Sequence, residues 1–135
     1  MSEHLKYFID ARTLLILASN LPEKRGLIDR MIEISERGTQ FVTSMRSLED
    51  VTALFIKKGE GAALRSYLAT VEQICQEYIR TNTEDYDLAL QIVDSGRVPF
   101  RAALDAAICI NRRIHLFSDS PWFDHISGLL RYPTI

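Results

Sequence analysis

Asp10, Asp50, Asp105 and Asp119 are the side chains whose type and placement could do chemistry. Asp10 closes the apolar run Tyr7-Phe8-Ile9, and Asp119 closes Ile114-His115-Leu116-Phe117-Ser118. Asp50 and Asp105 fall near the starts of helical segments. In an open parallel α/β sheet, ligand chemistry collects beyond the carboxyl ends of the strands, where the strand order reverses. Acids gathered there are costly to assemble unless a cation holds them, so a divalent metal is the expected occupant.

Each acid alone has a plain structural explanation. Asp10 fits a helix N-cap or turn, Asp50 the third residue of a capped helix, and Asp119 a turn in Ser118-Asp119-Ser120-Pro121. Asp105, inside Ala102-Ala103-Leu104-Asp105-Ala106-Ala107-Ile108, fits a salt bridge to Arg101 or to an arginine of another element. Aspartate is a poor helix-interior residue and a buried carboxylate needs a partner, so Asp105 is the most telling of the four. The recurrence of all four at equivalent ends of strand–helix units favours a shared site.

The elements that must position them alternate in type. Residues 6–10 read as a buried strand, 12–19 as a short helix, and a second helix runs from Pro22 to Gly38 with Leu27, Met31 and Ile34 on one face. Phe41-Val42-Thr43 is a short strand, and Ser47 with Asp50 makes a variant capping box opening a helix that ends at Gly59. Leu64, Tyr67, Leu68, Val71, Ile74, Cys75 and Tyr78 form one stripe at 3.6-residue spacing, predicting a helix through all of them. Ile79-Arg80-Thr81 is then a weak third strand, and Asn82 or Thr83 caps a helix stopped by Gly96. Residues 100–112 form the last helix and 114–118 the fourth strand. The alternation defines an α/β fold with a parallel sheet.

With 135 residues and 47% hydrophobic side chains, the chain is expected to be one domain, 1–135. Sixteen basic against 18 acidic residues leave a net charge of −2, which excludes a surface that is basic throughout but allows a basic rim around an acidic centre. Cys75 and Cys109 lack CxxC spacing and fall at apolar positions, so reduced core thiols in a cytoplasmic protein are expected. There is no signal-peptide pattern and no membrane-length apolar run, hence no membrane partner. No glycine-rich loop follows the first strand (Asp10-Ala11-Arg12-Thr13-Leu14), which disfavours a nucleotide-binding doubly wound domain.

Phe8-Ile9-Asp10-Ala11, Ser44-x-x-Ser47-Leu48-Glu49-Asp50-Val51, Leu104-Asp105-Ala106-Ala107-Ile108 and Ser118-Asp119 with Phe123 together resemble, in order and spacing, the four motifs of PIN-domain ribonucleases. Stand-alone VapC-like toxins are the most similar members. The resemblance implies a three-layer α/β/α sandwich with a mostly parallel sheet, strands one and four central. It implies one or two Mg2+ or Mn2+ ions held by Asp10, Asp105, Asp50 and Asp119. Two departures name alternatives: the family usually carries glutamate where Asp50 aligns, so Glu49 can replace it, and Asp124 can share or replace the role of Asp119. The small polar residue expected two after the first acid is Arg12, with Thr13 next. The hydroxyl expected two before the fourth acid is Phe117, with Ser118 next.

The activity implied is metal-dependent endoribonuclease action on RNA, as the toxin of a type II toxin–antitoxin pair. A housekeeping PIN nuclease and an inactive PIN-like interaction domain are the alternatives. With Asp10 and Asp105 as central ligands, two ions ~4 Å apart polarise a phosphodiester, activate water and stabilise the leaving oxygen. Arg12, Arg101 and Arg112 are candidate RNA contacts, placed to hold phosphates without reading sequence. Trp122 and Phe123 either stack on a base or, the favoured reading, anchor a loop to the core. His115 reads as structural. The apolar surplus between positions 13 and 34 serves a homodimer, a cognate antitoxin groove, or packing under the sheet.

Overall fold

The computed structural model describes residues 5–132. The chain runs β1 (Lys6–Ile9), α1 (Ala11–Ala18), α2 (Glu23–Glu36), β2 (Gln40–Ser44), α3 (Met45–Lys57), α4 (Gly61–Ile74), β3 (Cys75–Ile79), α5 (Thr83–Ser95), α6 (Phe100–Arg112), β4 (His115–Phe117), a 3-10 turn at Pro121–Phe123, and β5 (Arg131–Tyr132). Every strand pairing is parallel, in the order β3-β2-β1-β4-β5. Strands are added outward on one side through β2 and β3, and on the other through β4 and β5. The reversal therefore lies between β1 and β4, directly above Asp10.

Both faces of the sheet are covered, so the inner strands carry consecutive apolar residues (Tyr7-Phe8-Ile9, Phe41-Val42, Leu116-Phe117) rather than alternation. Tyr7 and Ile9 of β1, Phe41 of β2 and Phe117 of β4 point into one core with Leu14, Leu27, Met31, Ile34, Val51, Phe55, Tyr67 and Val71 of α1–α4. Phe8, Val42 and Leu116 point the opposite way, into a core with Ala89 and Ile92 of α5 and Ala103, Leu104, Ala107 and Ile108 of α6. This is the three-layer α/β/α arrangement, with β1 at its centre. The alanine run of α6 has a packing reason: residues 102–109 are all buried, and short side chains let α6 lie close to the sheet.

Three sequence expectations are corrected. Cys75 and Tyr78 are strand residues of β3, not helix; α4 ends at Ile74, although its stripe continues in register with no glycine or proline to break it. Pairing with β2, where Thr43 faces Tyr78 and Ser44 faces Ile79, takes those residues instead. The helix after β2 is capped by Ser44, whose hydroxyl accepts from the Ser47 N–H at 2.9 Å, so Ser47 is inside the helix and Asp50 in its second turn. A fifth strand, Arg131–Tyr132, extends the β4 edge by a two-residue pairing.

Asn82 caps α5 in a reciprocal box with Asp85. Cys75 and Cys109 are buried free thiols, and burial pushes Cys75 up to about 12. His115 packs its ring against Tyr7 at 5.4 Å, in the strand, as a structural residue does. Among the described residues, no helix is long and apolar enough to cross a membrane.

Candidate metal-binding active site

The switch point is built from the ends of four elements. Asp10 follows β1 directly and is the N-cap of α1. Its Oδ1 accepts from the Thr13 N–H at 2.9 Å and the Thr13 hydroxyl at 2.6 Å. Its Oδ2 accepts from the Ser118 hydroxyl at 2.7 Å. Three hydrogen bonds from two side chains and one backbone N–H fix the orientation of this buried carboxylate. Thr13 and Ser118 are the hydroxyls standing one position away from the family pattern, and both are turned onto the first acid. Nearby, the Thr43 hydroxyl donates to the Ile9 carbonyl at 2.7 Å, tying β2 to the end of β1.

Asp105 comes to the same place from α6. It is 8% exposed and, among the described residues, receives no hydrogen bond and no ion pair. Burial first, and then the charges of Asp10 and Asp50, push its carboxyl well above the ordinary aspartate range; Arg101 and Arg46 pull the other way and do not prevail. A buried acid without a hydrogen-bond partner is a costly group to fold.

Asp50, on α3, meets Arg101 of α6 at 3.3 Å. Asp50 is the acid of its pair that acts on Asp105; Glu49 is solvent-exposed on α3. Asp119 lies 4.0 Å from Arg12, both partly exposed. Asp124 is held at 2.5 Å by Arg131, which also donates to the Ser118 and Ser120 carbonyls and so pins the loop carrying the last acid.

Arg12 and Arg101 thus both lie on acids of the set. Arg112 does not: its guanidinium forks onto Asp85 at 2.8 and 3.0 Å and reaches the Arg80 carbonyl, two turns along α6 from Asp105. That engagement holds Arg112 to α5 rather than to the four acids. Sequence reading passed over Arg46, whose charge acts on Asp105 and whose Nε is buried without a partner. An arginine one residue into a helix carries no sequence signal; the folding of α3 against α6 is what brings it in.

All the donors here are oxygens, which suits Mg2+ or Mn2+ better than a softer ion. The orphaned Asp105, beside an oriented Asp10, fits a cation. Among the described residues, however, no three acids, imidazoles or thiols are drawn together tightly enough to enclose one. Like charges spread apart, and Asp50 and Asp119 are meanwhile engaged by arginines.

No family model matches the chain, and neither does any curated protein. Solved structures do. A chain of VapBC2 from Rickettsia felis, bound to a DNA fragment from its promoter, superposes with a TM-score of 0.78 at 12% identity, over 96% of this chain and 98% of that one. VapBC-1 from nontypeable Haemophilus influenzae gives 0.71 at 12% identity, over 96% and 98%. VapC20 from Mycobacterium tuberculosis, described as a sarcin–ricin loop cleaving toxin, gives 0.67 at 14% identity, over 87% and 92%. The fold is accordingly the PIN-like α/β/α sandwich. Within that class, the three solved structures above are of VapBC and VapC proteins, similar along nearly the full length of both chains.

Proposed function

We propose that this chain is a Mg2+- or Mn2+-dependent endoribonuclease, the toxin of a type II toxin–antitoxin pair. The observation that carries the reading is Asp105: a buried carboxylate without a partner, beside Asp10 and Asp50, at the point where the strand order reverses. Asp10 and Asp105 would hold the ion, with Asp50 and Asp119 as further ligands or as acceptors for its waters. A bound divalent ion supplies a polarised phosphodiester and a water of lowered pKa.

The protein's own side chains do the rest. Thr13 and Ser118 keep Asp10 aimed. Arg12 and Arg101, at the acids' edge, would position phosphates of RNA without reading its sequence. The fold shared with a toxin described as cleaving the sarcin–ricin loop supports RNA as substrate. The VapBC structures among the neighbours support a small antitoxin partner, acting in the cytoplasm. A homodimer fits Leu21, Ile28 and Ile32, apolar side chains left exposed at and along α2.

The test is cleavage of a generic single-stranded RNA with Mn2+, with Mg2+ and with EDTA, alongside Asp10→Asn. Cleavage is expected with either ion, absent in EDTA, and reduced in the variant on the order of 10²–10³-fold or more. Full activity in Asp10→Asn removes the assignment. Ser118→Ala is expected to weaken Mn2+ binding by about 10–100-fold, the range for groups that orient a ligand, measured by calorimetry. An unchanged affinity means that Ser118 does not orient Asp10. A second reading, an inactive PIN-like interaction domain, is favoured by the ion pairs that occupy Asp50 and Asp119. Under it, Mn2+ leaves the melting temperature where it was.

A further inference from the structure

The aromatic pair after the last acid splits its duties. Phe123 is buried in the α5–α6 core and lies under the Arg131 guanidinium, whose carbon is 5.9 Å from the ring centre. It anchors the turn. Trp122, its neighbour, is 53% exposed and contributes nothing to that anchoring. It stands instead at the rim of a cavity of about 690 Å3 between α5, the α5–α6 connection and the 121–127 segment. That volume falls within the ~300–1,000 Å3 of small-ligand clefts. Ile92, Val98 and Ile126 form apolar lining; Arg97, His125 and Gln91 add polar groups. Arg97 is exposed and, among the described residues, has neither ion pair nor hydrogen bond.

Both walls of the cavity belong to segments that also carry residues of the acid site. On one, the Ser118 hydroxyl that holds Asp10 accepts from the Ser120 N–H at 3.1 Å, and Pro121 follows as lining. On the other, Arg97 lies four residues before Arg101, which meets Asp50. Resting on the nuclease reading above, we infer that this cavity is a subsite for an unpaired nucleobase of the RNA next to the scissile phosphate. Trp122 is its stacking platform and Arg97 its phosphate contact. A flat aromatic face, apolar walls, neutral hydrogen-bonding groups and a free cation match the chemistry of a nucleotide, whose base stacks on aromatics irrespective of sequence. The free arginine complements a phosphate in a chain whose overall charge is negative.

Trp122 is the single tryptophan of the chain, so its emission reports the cavity directly. The probe is an end-labelled, mixed-sequence single-stranded RNA 12-mer, titrated into the Asp10→Asn protein with Mn2+ so that the strand stays intact. Anisotropy of the label reads binding, and tryptophan emission reads occupancy. Binding accompanied by quenching, with Trp122→Ala weakening affinity about tenfold and Trp122→Phe retaining most of it, is the expected result. Binding without quenching, and with affinity unchanged in Trp122→Ala, overturns the subsite and leaves the nuclease reading intact. No binding, together with no cleavage by the wild-type protein, removes both. Emission already shielded from acrylamide in the free protein at micromolar concentration shows the cavity covered by a second copy, which overturns the assignment as well.

Discussion

Asp105→Asn raises the melting temperature of the protein in EDTA at neutral pH while abolishing cleavage. The folded carboxyl titrates well above its unfolded value because burial and the charges of Asp10 and Asp50 oppose its ionisation. A group with a raised folded pKa contributes stability that is complete below the unfolded pKa and is lost as pH rises through the folded one. Near neutrality the wild-type protein therefore carries that penalty, and a neutral isostere removes it. A gain of about 1–2 kcal/mol is expected, the usual size when a strained functional group is relieved; that is roughly 3–6 °C in a domain of this length. The gain shrinks as pH falls, since wild-type Asp105 then protonates itself. Saturating Mn2+ inverts the order. Wild type gains about 2.7 kcal/mol at an ion concentration 100 times the dissociation constant, whereas the variant, short of a central ligand, gains far less. Thermal melts of both proteins at pH 5.5 and 7.5, with Mn2+ and with EDTA, read all four values. A variant that melts lower in EDTA at pH 7.5 would mean that the carboxylate makes a net favourable contact, and the metal reading loses its main support.

What could be read in the sequence follows from which forces are local. Tyr7-Phe8-Ile9, Phe41-Val42 and Leu116-Phe117 are apolar at consecutive positions because helices cover both sides of the sheet, so these strands and the α/β class were visible. The α4–β3 boundary was not, because Cys75 and Tyr78 satisfy the helical stripe and the pairing partner that converts them, β2, is more than 30 residues away. β5 was invisible for a related reason: two residues against β4 leave no periodicity to find. Among site residues, Asp105 announces itself as an acid where local preference would put none, whereas Asp10 sits where an N-cap aspartate is ordinary and stands out only in the company of the other acids. The donors that tune them do not. Ser118 is 108 residues from Asp10, and Arg46 reaches Asp105 from another element. Arg112 is the converse case, a basic residue on the right helix whose side chain is held by a different acid, Asp85.

Asp85→Ala costs more stability than any other surface-looking acid in the chain. Asp85 is 0% exposed and bonded on every side. Oδ1 accepts from Asn111 at 2.9 Å and Arg112 at 2.8 Å, and Oδ2 from Arg112 and the Asn82 N–H, each at 3.0 Å. Removing it breaks the α5 capping box and leaves the Arg112 guanidinium, about a quarter exposed, without its partner. Loss of one member of such a pair typically costs about 3–5 kcal/mol, read here as the free energy of urea unfolding. Asp85→Asn keeps an acceptor for the Asn82 N–H and is expected to cost about half as much. Burial opposes the Asp85 charge, but the hydrogen bonds from Arg112, Asn111 and Asn82, with the Arg112 charge, outweigh it and set the pKa below the ordinary 3.8. With a depressed folded pKa, the contribution is complete above the unfolded value and disappears as pH falls through the folded one. The difference between wild type and Asp85→Asn should therefore be constant from pH 5 to 8 and close below about pH 4. Equal stability of Asp85→Ala and wild type at pH 7 would show that the α5–α6 hairpin does not depend on this network. It would also return Arg112 to the pool of arginines free to meet RNA.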